Sequence, residues 1–256
     1  EIQKQGGNAN VVLGRVLYEL KKKADFTVVS VDGGLKDNAI TRSARAILMF
    51  APGQEDLFMD ILKEQQGIIE KEYHKTDAGM SIEGFLELSK EDAESVAGVL
   101  PMTDVCGNAV ITALRTFPWG VQKISKDMEG LVQTSLNPCI LETKADTVSL
   151  VFSVRSSVAS EKEELYDRLV CLTESLGGKV SRSGDYPAWE YVEDSKLRTL
   201  MGDTYREMYK KEPVMEVIHA GVECGLFSEK MTGLDCVSYE PYIIDIHIPQ
   251  ERLSIS

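Results

Sequence analysis

The chain has 256 residues, of which 43% are hydrophobic and 27% charged, and a net charge of −13. That composition fits a soluble globular protein of one large or two ordinary domains, and the negative charge argues against a nucleic-acid backbone or an anionic membrane surface as partner. No apolar run approaches the ~20 residues that a bilayer span needs.

In chain order, Val12, Leu13, Val16, Leu17 and Leu20 recur at helical spacing and predict a helix over 8–23, with Lys21, Lys22 and Lys23 suited to its C-terminal dipole. Residues 26–31 read as a strand, Asp32-Gly33-Gly34 as a turn, 38–50 as a second strand and 53–72 as a helix. Helix, strand, strand, helix suits an antiparallel sheet with helices on one face; one more strand on each side would make it ferredoxin-like.

A second unit follows in the same style. Residues 129–142 and 147–156 read as strands, the latter with Val148, Leu150, Phe152 and Val154 alternating onto one face. Ser160-Glu-Lys-Glu163 reads as a capping box that opens a helix carrying Leu165, Leu169, Leu172 and Leu176, with Gly177-Gly178 ending it. Residues 179–191 read as a returning strand. Beyond about 190 the rhythm turns to α/β. Asp194 is positioned to cap a helix burying Leu197, Leu200, Met201, Tyr205 and Met208. Strands at 214–218 and 234–239 flank a short helix at 221–227, as in part of a mostly parallel sheet. A domain boundary is placed near 180, separating 1–180 from 181–256.

Five cysteines (Cys106, Cys139, Cys171, Cys224, Cys236), an odd number without a CxxC pair, suit a reducing cytoplasm and read as small core residues. Phosphate-loop and serine-hydrolase motifs are missing. Of the three histidines, His74 lies in a polar stretch and reads as a surface residue. His219 follows a strand and opens a Gly-rich helix start, a place where anionic ligands bind, although a structural role is also open to it. His247, in Asp245-Ile-His247, is a possible zinc ligand, but a catalytic zinc needs about three protein donors, and one histidine cannot supply them. Arg155, at a strand end, could grip a carboxylate through a bidentate fork or serve structure alone.

Several stretches together carry a resemblance: Val31-Asp-Gly-Gly-Leu-Lys-Asp-Asn-Ala-Ile40, Glu129-Gly-Leu-Val-Gln-Thr-Ser-Leu-Asn137, Phe152-Ser-Val-Arg-Ser-Ser157, Tyr186-Pro-Ala-Trp-Glu190, His219-Ala-Gly-Val-Glu-Cys-Gly-Leu-Phe227 and Asp245-Ile-His247. In this order they resemble aminoacyl-histidine dipeptidases, of the zinc aminoacylase and carboxypeptidase clan. The resemblance implies a ferredoxin-like lid, dimerising in type, followed by the C-terminal part of an α/β catalytic domain holding a pair of zinc ions. It implies that Arg155 grips the dipeptide's C-terminal carboxylate, that His219 lies near the substrate, that Asn137 is a lid-side candidate and that His247 is the last metal ligand. The general base and remaining ligands would precede Glu1, since both chain ends look cut from something longer. Hence no catalytic residue is expected within the chain. The chain departs from the family at Glu240 (usually Gly), Ile248 (usually Thr), Trp119 (usually Asn) and Pro138-Cys139 (usually Leu-Gly). The alternatives are a non-catalytic lid or dimerisation module, or a degenerate paralogue.

Overall fold

Asn8 starts the first helix: its side-chain oxygen accepts from the Asn10 and Val11 amides, and α1 runs Ala9–Lys23 from that cap. In this computed structural model, residues 2–4, 6–126, 128, 130–215, 223–239, 243–244 and 252–253 are described. They fall into two compact units, Glu1–Ser183 and Gly184–Ser256.

In the first unit α1 is followed by β1 (Phe26–Gly33), β2 (Ala44–Phe50), α2 (Glu55–Tyr73), α3 (Lys90–Ser95), α4 (Asp104–Thr116), β3 (Gly120–Ile124), β4 (Val132–Thr143), β5 (Val148–Ser156) and α5 (Ala159–Ser175). The five strands form one sheet in the order β2-β1-β4-β3, with β5 also on β4, and every pairing is antiparallel. This is the α+β class read from the sequence.

The main core forms where the apolar stripe of α1 (Val12, Val16, Leu17, Leu20) meets Phe26, Val28 and Val31 of β1, Phe58, Ile61 and Ile69 of α2, and Ile111 and Leu114 of α4. Gly14 lets α1 approach α4 closely: a Cβ there would stand 2.6 Å from Leu114 Cβ and 2.9 Å from its backbone. A smaller cluster seats α5 on the sheet through Leu165 and Leu169 against Leu136, with Phe117, Phe152 and Val154 around it. Phe117 meets Phe152 edge to face at 5.2 Å.

Several local expectations are corrected. Asp32 and Gly33 continue β1 rather than turn, because they pair with Arg45 and Ala44; the turn begins at Gly34, whose φ is +79°. β2 starts at Ala44, since residues 38–43 form the connection that precedes it. Ser160 does not cap α5. The helix begins one residue earlier, and Ser156 Oγ accepts from the Val158 amide instead. Residues 179–191 form no strand. Cys106 and Cys171 are exposed; of the five thiols only Cys139 is fully buried. α3, α4 and β3 lie in a stretch, 73–128, for which the sequence reading predicts no element.

The second unit has α6 (Lys196–Tyr209), α7 (Glu223–Lys230) and a short antiparallel pair, β6 (Ile243–Ile244) with β7 (Arg252–Leu253). Ser195, not Asp194, caps α6, its Oγ accepting from the Arg198 amide. The stripe expected to be buried on α6 is largely exposed, with Leu200 at 63% and Met208 at 67%, and only Gly202 of this helix is buried. Residues 234–239 are not a strand. The expected strand at 214–218 and the start of the helix at 221–227 lie partly outside the described residues, and the described strands of this unit show no parallel pairing.

Candidate functional site

β4 has two edges with different fates. One is paired with β5 from Thr134 to Thr143. The other is shared: β3 takes Val132 to Leu136 and β1 reaches only Leu141. The backbone between has no strand partner on that side, and its carbonyls still need donors. Side chains supply them. Pro138 O accepts from Asn8 Nδ2 (3.0 Å) and Asn10 Nδ2 (3.2 Å), and Cys139 O accepts the single proton of Thr41 Oγ1 (2.7 Å), which also lies 3.2 Å from Pro138 O. A proline fits here because its nitrogen has no proton to satisfy.

Asn137 belongs to this plug. Its Oδ1 accepts from Asn8 Nδ2 (2.9 Å), and its Nδ2 donates to Ala39 O (2.9 Å) and contacts Cys139 Sγ (3.2 Å). The Cys139 thiol donates to Asp37 O (2.8 Å). Burial pushes this thiol's pKa up, the Ser153 amide and Asn137 oppose the shift, Asp37 adds to it, and Arg155 works against it. The thiol is therefore a buried structural group rather than a nucleophile.

Arg155 pairs with Ser135 across β4–β5, and Ser153 pairs with Asn137. Paired residues share a face, so Arg155, Ser135, Asn137 and Ser153 line one side, opposite the side where Leu136, Val154 and Phe152 meet α5. Arg155 is half-buried and close enough to Cys139 to act on its charge. The structure thus brings Arg155 and Asn137 onto one face and commits the Asn137 amide to the fold. His219 and His247, with Glu240, lie outside the described residues. His74 is exposed, its Nδ1 2.8 Å from Lys71 O at the end of α2.

One polar cluster escaped the sequence reading. Glu161, in the first turn of α5, accepts from Thr134 Oγ1, from Gln133 Nε2 (2.9 and 3.0 Å) and from Lys123 Nζ (2.9 Å). Thr134 Oγ1 also shares a hydrogen bond with Ser156 Oγ (2.8 Å). Burial alone would raise the Glu161 pKa; the donors from Thr134, Gln133 and Lys123 outweigh it and hold the carboxyl below its ordinary range. The only signal in the sequence was the acidic residue early in a helix. Among the described residues, no group of three or more His, Cys, Asp or Glu is placed to hold a metal ion. None of their helices is long and apolar enough to cross a membrane.

Residues 2–77, from the start of the chain past α2, match the model of the peptidase dimerisation domain. Over 249 residues, 97% of this chain, the sequence is 29% identical to the cytosol non-specific dipeptidase of Escherichia coli (strain K12), of which it spans 50%. The crystal structure of aminoacylhistidine dipeptidase from Vibrio alginolyticus matches with a TM-score of 0.82 at 29% identity, over 96% of this chain and 49% of that one. The chain is homologous to these dipeptidases and spans about half the length of each.

Proposed function

We propose that this chain is the lid domain (1–180) and the following catalytic-domain segment (181–256) of a zinc dipeptidase that hydrolyses Xaa-His dipeptides of the β-alanyl-histidine type in the cytoplasm. One observation carries the reading: the likeness to dipeptidases extends over 97% of the chain and is not limited to the residues matching the dimerisation domain. That breadth favours an enzyme part over a free-standing interaction module. The dimerisation-domain match supports a homodimer.

Arg155 is assigned to the dipeptide's C-terminal carboxylate, since a planar guanidinium matches a carboxylate bidentately. His219 is assigned to the substrate's vicinity. Asn137 is a positioning residue, because its amide is committed to Asn8 and Ala39. His247 is assigned as one zinc donor. The other donors for a pair of zinc ions, and the general base, are assigned to the half of the relatives' length that this chain does not span.

Zinc content and hydrolysis of β-alanyl-histidine, measured on the longest natural product and on the 256-residue chain, test the proposal. Activity is expected from the former alone; turnover by the 256-residue chain would overturn the assignment of the donors. A panel of dipeptides separates the finer reading from the coarser one. Equal rates with and without a C-terminal histidine would remove the Xaa-His preference and leave the dipeptidase.

A further inference from the structure

Arg155 is the penultimate residue of β5, and its cross-strand partner is Ser135. The next pair along, Thr134 with Ser156, presents its side chains to the opposite face of the sheet, the one that α5 covers. Both residues are buried there, and their hydroxyls share a hydrogen bond of 2.8 Å. The single proton of Thr134 goes to Glu161 in the first turn of α5, so Ser156 Oγ donates its own to Thr134 and keeps a lone pair for the Val158 amide (3.0 Å). Glu161 also holds Gln133 of β4 and Lys123 of β3. The Ser157 amide donates to Gln133 O (3.0 Å). Arg155 is therefore bracketed. Val154 before it packs into the apolar cluster under α5, and Ser156 and Ser157 after it are hydrogen-bonded to the network that Glu161 centres.

We propose that Glu161 is a positioning residue for Arg155: through Thr134 and Ser156 it fixes the end of β5, so that the guanidinium meets a substrate carboxylate with both arms of its fork. This rests on the reading of Arg155 given under Proposed function. A two-bond guanidinium–carboxylate contact is demanding in angle as well as distance, and a site of that kind works only where its supporting shell holds it within a fraction of an ångström. Leu165 and Leu169 already seat α5 on the sheet. What the carboxylate adds is a polar tie from the helix to three strands at the point where β5 ends. With only 16% of the Glu161 side chain exposed, water competes weakly for that carboxylate, and the donors stay engaged.

The test uses the longest natural product with β-alanyl-histidine as substrate. Glu161→Gln and Thr134→Val should each raise KM roughly 3- to 10-fold and leave kcat within about twofold, the pattern of lost binding shared by ground and transition states. Added to Arg155→Ala, Glu161→Gln should change KM no further, because the two residues act as one unit. Leu169→Ala is the control. It loosens α5 from its apolar side, and should lower the urea midpoint at least as far as Glu161→Gln while KM stays at the parent value. Additive effects on KM in the double variant, a KM rise in Leu169→Ala equal to that in Glu161→Gln, or an unchanged KM in both Glu161→Gln and Thr134→Val would each overturn the inference. Arg155→Ala with the parent's KM would instead remove the carboxylate reading on which the inference rests, so the two failures are told apart.

Discussion

Asn8 Nδ2 donates to Asn137 Oδ1 over 2.9 Å and so ties the cap of α1 to the middle of β4, 129 residues away. The same Asn8 caps its own helix through Oδ1. One side chain thereby starts α1 and helps close the gap that β3 and β1 leave along β4.

Asn137→Ala should destabilise the chain by about 1–3 kcal/mol, because it leaves one N–H of the buried Asn8 side-chain amide, whose other bond goes to Pro138 O, without its acceptor. Denaturant unfolding measures this. If Asn137 acted mainly on substrate, the variant would keep its stability and raise KM in the longest natural product; that pattern would sink the positioning role.

Arg155→Ala, made in the longest natural product, should raise KM for dipeptides roughly 10- to 100-fold, the equivalent of a lost charge-assisted hydrogen-bond pair of about 1.5–3 kcal/mol. Arg155→Lys should recover part of it, since an ammonium keeps the charge but loses the fork. An unchanged KM with lowered thermal stability would make Arg155 a structural residue.

Glu161 sets a pH dependence. Its folded pKa lies below the ordinary value, so its contribution is complete above the unfolded carboxylate range, near pH 4.3, and is lost as pH falls through the lower folded pKa. Glu161→Gln should therefore be less stable than the parent at neutral pH, and the gap should narrow only under strongly acidic conditions. Urea midpoints across a pH series check this; a gap that widens on acidification contradicts it.

Gly34→Ala should be among the most damaging single changes in the first unit. Gly34 has φ +79°, and a Cβ there would fall 1.8 Å from Cys139 O. The left-handed conformation alone costs an L residue roughly 1–2 kcal/mol, and the overlap with backbone adds to it. Gly130→Ala is the control, with a similar φ of +78° but open space around it, and should show the conformational cost only.

Leu136→Ala should cost about 2–5 kcal/mol, as other large-to-small changes in cores do. Leu136 is fully buried under Leu165 and Leu169. Circular dichroism melts compared with Val154→Ala, a partly buried neighbour, should rank Leu136 as the larger loss.

The helices with regular apolar stripes were legible from residues alone. The α1 stripe of Val12, Val16, Leu17 and Leu20 is buried as its spacing predicts, and the alternation in 147–156 marks β5. The similar stripe on α6 misled, because spacing records a face without recording what covers it. Residues 179–191 misled in another way: β-forming residues make a strand only where a neighbouring edge accepts their hydrogen bonds. α4 was overlooked although Thr103 caps it through a side-chain bond to the Cys106 amide.

What the sequence determined by itself was local: which segments are amphipathic, the α+β class, and, through shared stretches, the kinship with dipeptidases. The tertiary structure decided which polar residues are spent on the fold. Asn8, Asn10, Thr41 and Asn137 look like ordinary surface amides and hydroxyls in the sequence, and are buried because the backbone of β4 between β1 and β3 has carbonyls that no strand reaches. That requirement arises only when distant segments pair, so no local pattern encodes it.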